Sequence, residues 1–295
     1  MNHTVRLCLV GLLAWQVWAA KIPDEILKTV TFIYVSADGK TAAPNGTGFF
    51  VGVKIENKDA FAVYLVTAKH VLTDANGKYF DEVGVRLNTL AGKSELLRLP
   101  LGANVFTHPS EEDVDIAVVP ALPDQKVFDF KFLPEEMLTT KAGFTEMKIG
   151  PGSDVFFAGL FTGFLGQNRS YPIARFGRVA LVTDEKVPWQ EPGHPQQMLD
   201  LYLLETQSFG GNSGSPVFFY LGSDREPGSI MVGPPVLKLA GIMKGNFNQG
   251  APIVVMNNSP QALALQNMGI AAVVPAYLLH EVLFQEKLLK ARAAH

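Results

Sequence analysis

From Thr29 onward, short apolar runs alternate with turn residues along the chain. Residues 30–36 (VTFIYVS), 48–55 (GFFVGVKI) and 60–67 (AFAVYLVT) are rich in β-branched and aromatic side chains. Between them stand Asp38-Gly39, Pro44-Asn45-Gly46 and Asn57-Lys58-Asp59, all residue types that favour turns. Runs at 83–90 and 114–119 continue the series. Short strands at this spacing predict an all-β sandwich or barrel. Residues 121–150 are less regular, with Pro123, Pro134 and the polar pair Glu135-Glu136, and the boundary between two lobes is expected there. A second β-rich stretch follows, with strands expected near 155–158, 173–183, 200–206, 216–220, 236–243 and 270–274.

The end of the chain has a different period. Leu278, Leu279, Val282, Leu283, Phe284, Leu288 and Leu289 recur at helical spacing, with Glu281, Glu286, Lys287, Lys290 and Arg292 on the other faces and Pro275 just ahead. This predicts one amphipathic helix within 277–295, packed on the second lobe. The start of the chain reads as a secretory signal peptide at 1–19. Arg6 supplies the positive region, an apolar run follows from Leu7 to Val17, and Val17-Trp18-Ala19 offers a cleavage site. The run is too short to span a bilayer, so no stable membrane insertion is expected after cleavage.

Composition narrows the function classes. The chain has 295 residues, 47% of them hydrophobic and 18% charged, which suits a sizeable core and excludes disorder for the bulk. A net charge of -3 leaves no basic footprint, so nucleic acid is not expected as a partner. The single cysteine, Cys8, falls in the segment expected to be removed. An exported chain without disulfides points to a bacterial envelope, so a periplasmic or secreted location is expected.

Three fragments carry candidate chemistry. In Gly211-Asn212-Ser213-Gly214-Ser215-Pro216 a serine sits on a tight turn entering an apolar strand. The amides of Gly211 and Ser213 could donate there to a tetrahedral oxyanion. In Thr67-Ala68-Lys69-His70 a histidine ends an apolar strand. In Asp113-Val114-Asp115-Ile116-Ala117-Val118 a carboxylate enters one, and a buried carboxylate needs a hydrogen-bond or charge partner such as a histidine. Asp115 and Asp113 lie on the same strand face, so both are candidates for that carboxylate.

Taken together, these motifs resemble the trypsin/chymotrypsin superfamily of serine peptidases, and most closely its HtrA/Deg-type branch. The order His, Asp, Ser is that of the chymotrypsin template. Gly46-Thr47-Gly48-Phe49, Val155 to Gly159, Phe176 to Val179 and Gly269-Ile270 to Pro275 resemble further landmarks of the family, in sequence order. The resemblance implies two packed six-stranded antiparallel β-barrels, chymotrypsin-like, with a C-terminal α-helix. The first barrel, carrying the histidine and aspartate, is expected over 20–130 and the second, carrying the serine, over 131–276. It implies Ser213 as nucleophile, His70 as general base, Asp115 as its partner in preference to Asp113, and Gly211 and Ser213 as oxyanion donors. No metal or cofactor is implied, and the expected partners are polypeptide substrates.

The resemblance also places the primary pocket between Gln207, Ser208 and Phe209 on one wall and Met243, Lys244 and Gly245 on the other. No acidic residue stands where a trypsin-like pocket needs one, so an uncharged or apolar P1 residue is expected. Asn212 stands where zymogen-activated relatives carry an aspartate, so no activation cleavage beyond signal removal is expected. The chain after Ser213 is used up by the last strands and the helix, so the PDZ module that HtrA-type proteases append is not expected. Ser215 replaces a family glycine and is expected to alter the shape of the cleft. The alternative to an enzyme is a catalytically silent, protein-binding scaffold of the same fold. His108 and His194 read as residues of solvated loops, and residues 161–166 (FTGFLG) as a mobile active-site loop or a buried crossover.

Overall fold

The structure, a computed structural model, describes residues 21–36, 41–191, 195–222, 235–252 and 263–294. The expected signal peptide with Cys8, the Asp38-Gly39 turn and His194 lie outside the described residues. A short helix, α1 (Asp24–Leu27), leads into the first sheet, built from β1 (Val30–Val35), β2 (Ala43–Lys54), β3 (Phe61–Thr67), β4 (Glu82–Asn88), β5 (Ser94–Pro100), β6 (Ala117–Pro120) and β7 (Leu133–Pro134). The strand order is β5-β4-β1-β2-β3-β6, with β7 parallel to β2. β1 and the Gly46–Val53 part of β2 are buried on both faces, which suits their run of β-branched and aromatic residues.

After α2 (Lys141–Glu146) the chain forms β8 (Asp154–Gly159), β9 (Ile173–Leu181), β10 (Val187–Trp189), β11 (Gln197–Leu199), β12 (Tyr202–Glu205), β13 (Pro216–Leu221), β14 (Val236–Pro252) and β15 (Leu263–Pro275). Six of these close into a barrel in the order β12-β15-β14-β13-β8-β9, while β10 and β11 form a separate hairpin. Alternation along the strands fills the barrel. Val155 and Phe157, Val217, Phe219 and Leu221, and Ala271 and Val273 share its interior. On the opposite faces of β8 and β13, Phe156 and Phe218 stack at 5.0 Å and join the apolar cluster that includes the first sheet. Phe144 of α2 meets Tyr202 and Phe219 edge-on.

The expected all-β, two-barrel architecture is thus borne out, with the second unit a closed six-stranded barrel and the first a curled half-barrel sheet. Among the described residues that half-barrel is a seven-stranded sheet left open between its two end strands. Between β5 and β6 the chain runs through a 3₁₀ turn at Gly102–Asn104 and loops, and touches the sheet at one bridge, Phe106 to Val118. No ladder therefore joins β6 back to β5.

The expected C-terminal helix is present and is divided in two. Two helices, α3 (Ala276–Leu283) and α4 (Glu286–Ala293), are separated at Phe284-Gln285, where Gln285 leaves the helical region at φ -62° and ψ 152°. The Gln285 amide donates to the Val282 carbonyl and, across the chain, to Thr107, which holds the break. α3 buries Leu278, Leu279, Val282 and Leu283, as the periodicity predicts. The break turns α4 out of that register, so Arg292 is buried and not on the outer face. Its guanidinium donates to the Tyr64 hydroxyl at 3.1 Å and the Leu283 carbonyl at 2.8 Å. His108 is also buried, against the expectation of a solvated loop. Its Nδ1 accepts from the Glu111 amide, which leaves Nε2–H to donate to Glu281 of α3 at 2.9 Å. No helix among the described residues is long and apolar enough to cross a membrane.

Arg292 ties α4, α3 and β3 together through two charge-assisted hydrogen bonds and its buried stem. Arg292→Ala is expected to destabilise the protein by about 2 kcal/mol. Urea unfolding would show this as a lower midpoint with an unchanged slope.

Candidate active site

Strand register brings the candidate residues together. Thr67 pairs with Ala117 in the antiparallel β3–β6 ladder. The residues just after β3 therefore face those just before β6. His70 lies in a 3₁₀ turn, Lys69–Leu72, and Asp115 lies ahead of β6. His70 Nδ1 is 2.7 Å from Asp115 Oδ2, and the His70 backbone N–H donates to Asp115 Oδ1 at 3.0 Å. Asp113 is exposed and takes a hydrogen bond from Gln197 instead, so the structure brings only Asp115 to the histidine.

A third donor converges on the same carboxylate. Lys244 Nζ lies 2.9 Å from Asp115 Oδ2 and 3.2 Å from Glu191 Oε1. Lys244 and Asp115 are only 6% and 4% exposed. The ammonium also sits 5.3 Å from the Trp189 ring centre, and the Trp189 indole donates to Glu191 at 3.0 Å. The charges respond accordingly. Burial would raise Asp115, but the charges of His70 and Lys244 and their hydrogen bonds hold it well below the usual carboxylate range. Burial would lower Lys244, but Asp115 and Glu191 outweigh it and hold it above its ordinary value. Burial would likewise lower His70, but the charge and hydrogen bond of Asp115 keep it above its ordinary value.

Ser213 approaches from the second barrel. Pro216 pairs with Ile242 and the Gly214 N–H donates to the Met243 carbonyl, so the turn before β13 runs alongside β14. The Ser213 hydroxyl donates to the Lys244 carbonyl at 3.0 Å rather than to His70. The turn itself is tightly defined. Gly211 has φ +94° and Gly214 φ +84°, both left-handed. A β-carbon on Gly214 would stand 2.1 Å from the Thr47 carbonyl oxygen, so no other residue fits there. Thr47 clamps the turn from the first sheet. Its hydroxyl donates to the Gly211 carbonyl at 2.7 Å and accepts from Leu160 N–H at 2.9 Å, while its own N–H donates to the Ser213 carbonyl at 2.9 Å. Asn212 is buried and fully used: its amide group donates to the Leu160 carbonyl and accepts from Phe209 N–H. With both carbonyls of the turn held, the amides of Gly211 and Ser213 donate to no other described residue.

The pocket residues are placed differently from the expectation. Met243 is fully buried in the barrel interior and the Lys244 side chain turns to Asp115. The bulge between Met243 and Gly245 in the β14–β15 ladder is what turns consecutive side chains away from the simple alternation. Gly245 faces the Trp189 ring. On the other side Gln207 is exposed, Ser208 is buried with its carbonyl held by Asn267, and Phe209 is 47% exposed beneath the Arg175 guanidinium, 4.8 Å from the ring centre. Ser215 is buried, and its hydroxyl lies against Gly159, where a β-carbon would come within 2.0 Å of it. The 161–166 loop is not a buried crossover. Phe161 and Phe164 are exposed, while the Leu165 and Gly166 carbonyls accept from Arg86 of the first sheet at 2.7 and 2.9 Å.

Sequence reading missed the roles of Thr47, Glu191 and the Lys244 side chain. Thr47 carried a signal, a β-branched hydroxyl between two glycines at the head of an apolar strand. Glu191 and Lys244 carried none, because their meeting depends on the β10–β11 hairpin and the β14 bulge.

No protein-family model matches the chain, and no curated protein does. Among solved structures the chain is similar to trypsin/chymotrypsin-like serine proteases. One is the active form of the Rv3671c protease from M. tuberculosis, at 16% identity over 88% of this chain and 81% of that one, with a TM-score of 0.46. A second is the thermostable serine protease AL20 from an extremophilic microorganism, at 12% identity over 87% and 95%, with a TM-score of 0.47. A third is the protease Anisep from Arthrobacter nicotinovorans, at 15% identity over 91% and 97%, with a TM-score of 0.46.

Asp115→Asn would leave the Lys244 ammonium buried against a neutral amide. It is expected to cost about 3 kcal/mol of stability at pH 7. Because Asp115 is held low, its contribution is complete above about pH 4 and is lost as pH falls through its depressed value. The gap between wild type and variant should therefore shrink in acid, which urea unfolding at pH 7 and pH 3 would measure.

Proposed function

We propose that the chain is an exported serine endopeptidase working through Ser213, His70 and Asp115. The observation that supports this most is the hydrogen bond between half-buried His70 and buried Asp115 at 2.7 Å, together with a serine on a glycine turn with two free amides. In this reading the Ser213 hydroxyl leaves the Lys244 carbonyl and turns toward His70 when substrate binds, because the hydrogen bonds of such sites are often loose beforehand. Ser213 Oγ then attacks the peptide carbonyl while His70 takes its proton. The oxyanion forms against the amides of Gly211 and Ser213. Collapse passes the proton from His70 to the leaving amine and leaves an acyl-enzyme. Water, deprotonated by the same imidazole, releases the acid and restores Ser213. Asp115 fixes the tautomer with Nδ1–H and stabilises the imidazolium without taking the proton. Asn212 is satisfied by neutral partners, which supports a turn that needs no new N-terminus to form.

For the substrate, the walls favour an uncharged P1 side chain. The exposed Phe209 ring is apolar, and the charge seated on it, Arg175, is a cation that repels Lys and Arg. Export to the periplasm or medium is proposed from residues 1–19. A second reading is the silent scaffold, favoured by the Ser213 hydrogen bond to the Lys244 carbonyl in place of His70.

A fluorophosphonate probe separates the two readings. Covalent labelling of the wild type, abolished in Ser213→Ala and reduced in His70→Ala, supports the enzyme, and a folded wild type that stays unlabelled supports the scaffold. Peptide hydrolysis should fall by about 10⁶-fold in either variant. In a peptide library, cleavage after uncharged residues is expected, and a profile dominated by Arg or Lys would overturn the pocket assignment. N-terminal sequencing of the exported protein should begin at Ala20.

A further inference from the structure

Lys244 stands out among the buried groups because the proposed chemistry does not need it. An ammonium carried into a nearly dry site costs several kcal/mol unless its partners are well placed. Here it meets two carboxylates and an aromatic face. Its Nζ is 2.9 Å from Asp115 Oδ2, 3.2 Å from Glu191 Oε1 and 5.3 Å from the Trp189 ring centre. The Asp115 oxygen it touches is the same one that receives His70 Nδ1–H at 2.7 Å. The other oxygen is occupied by the His70 backbone N–H. The carboxylate is thus held at both oxygens by three donors and cannot rotate off the imidazole without breaking at least one charge-assisted bond. The same residue's carbonyl holds the Ser213 hydroxyl. Lys244 therefore reaches both ends of the Ser213–His70–Asp115 array, one with its backbone and one with its side chain.

The consequence is electrostatic. A lone buried carboxylate beside an imidazole stabilises the imidazolium strongly, which delays the appearance of the free base as pH rises. A cation sharing that carboxylate cancels part of its field. We propose that Lys244 is a positioning residue of this array, one whose ammonium locks Asp115 onto His70 and offsets part of its charge, so that hydrolysis extends further toward acid. This rests on the serine-peptidase reading above.

Other charges around the array act in known directions. Glu191 opposes Lys244, since its carboxylate favours the imidazolium. Tyr79 lies near Asp115 and is itself pushed up by burial and by that carboxylate, so it stays neutral. Lys69, next to His70 in the turn, reaches away to the Glu112 carbonyl. Behind Asp115 and Lys244, Glu111, Asp113, Lys186 and Asp200 border the same small recess, with Lys186 pairing Glu111 and Asp200.

The pH dependence of kcat/KM on a peptide with an uncharged P1 residue tests this, comparing wild type with Lys244→Met and Lys244→Arg. The acid limb reports the free-enzyme base. In Lys244→Met it is expected to move up by about one pH unit, a roughly tenfold loss on the acid side. Lys244→Arg, which keeps the charge, should hold the limb near its wild-type position. A folded Lys244→Met whose rate falls equally at all pH values, with an unmoved limb, overturns the proposal, because a merely structural lysine would behave that way. If Lys244→Met does not fold, Glu191→Gln gives the complementary reading: the limb should move down, and an unmoved limb overturns the proposal. If the wild type neither labels with phosphonate nor cleaves peptide, the peptidase reading fails on its own. The charge array is then read by NMR titration of His70 in Ser213→Ala with and without Lys244→Met. An upward shift of His70 on losing the lysine supports the array, and no shift overturns it.

Discussion

The Asp115 carboxylate is the group on which the rest of the arrangement depends. Burying an ionised carboxylate is tolerable only when its oxygens are filled by donors, and removing one donor exposes the full desolvation cost. Two parts of the chain supply those three donors, the 3₁₀ turn after β3, through the His70 ring and backbone, and β14 of the second barrel, through Lys244, around a carboxylate that itself precedes β6. The β3–β6 register, with Thr67 opposite Ala117, makes the first meeting unavoidable. The second requires the barrel to sit against the sheet at one fixed distance. A single buried charge thereby couples the internal register of the first unit to its placement against the second.

A neutral counterpart lies across the serine turn. Thr47 belongs to β2, yet its backbone and hydroxyl bond Gly211, Ser213 and Leu160 of the second barrel. Thr67 of β3 in turn donates to the Thr47 carbonyl at 2.7 Å. That carbonyl also crowds Gly214, which explains why the position admits only glycine. The serine's place is therefore set from the first sheet as much as from β13. Holding the turn's carbonyls leaves the amides of Gly211 and Ser213 without a partner among the described residues; in the proposed peptidase they would be donors already in place when substrate arrives.

Much of this was legible in the chain because it depends on local pattern. Strands β1 to β3, β9 and β13 follow from apolar runs bounded by turn residues, and the glycines of the serine turn follow from its need for positive φ. What was not legible depends on long-range pairing. Nothing local says that β14 and β15 extend as a hairpin to Pro252 and from Leu263, well beyond their apolar segments. β5 was hidden because its residues alternate toward solvent at the sheet edge, where Ser94, Glu95 and Arg98 are as suitable as apolar side chains. Lys244 reads as a polar residue following a buried strand, and only the bulge beside it turns the side chain inward to Asp115. Phe284-Gln285 continues the helical period, and the break there comes from hydrogen bonds that Gln285 makes with Val282 and with the distant Thr107.

With no cysteine among the described residues, polar bonds between distant segments take the place that cross-links would fill. Arg86 of β4 grips the Leu165 and Gly166 carbonyls, and Asn88 makes two bonds with the backbone of Ser170, so the loop entering β9 is fastened to β4 of the first sheet. His108 reaches Glu281 of α3, and Arg292 of α4 reaches Tyr64 of β3. Each such bond contributes on the order of 1 kcal/mol, more where a charge is involved. Their value lies in where they act. They fasten the 161–166 loop and the C-terminal helices of the second unit to the first unit, which carries His70. Fluctuation of one unit against the other would have to break charge-assisted bonds at both places before it could separate the serine from the histidine. A disulfide resists unfolding mainly by restricting the unfolded chain. These bonds act on the native state, and so they constrain the geometry of the site directly.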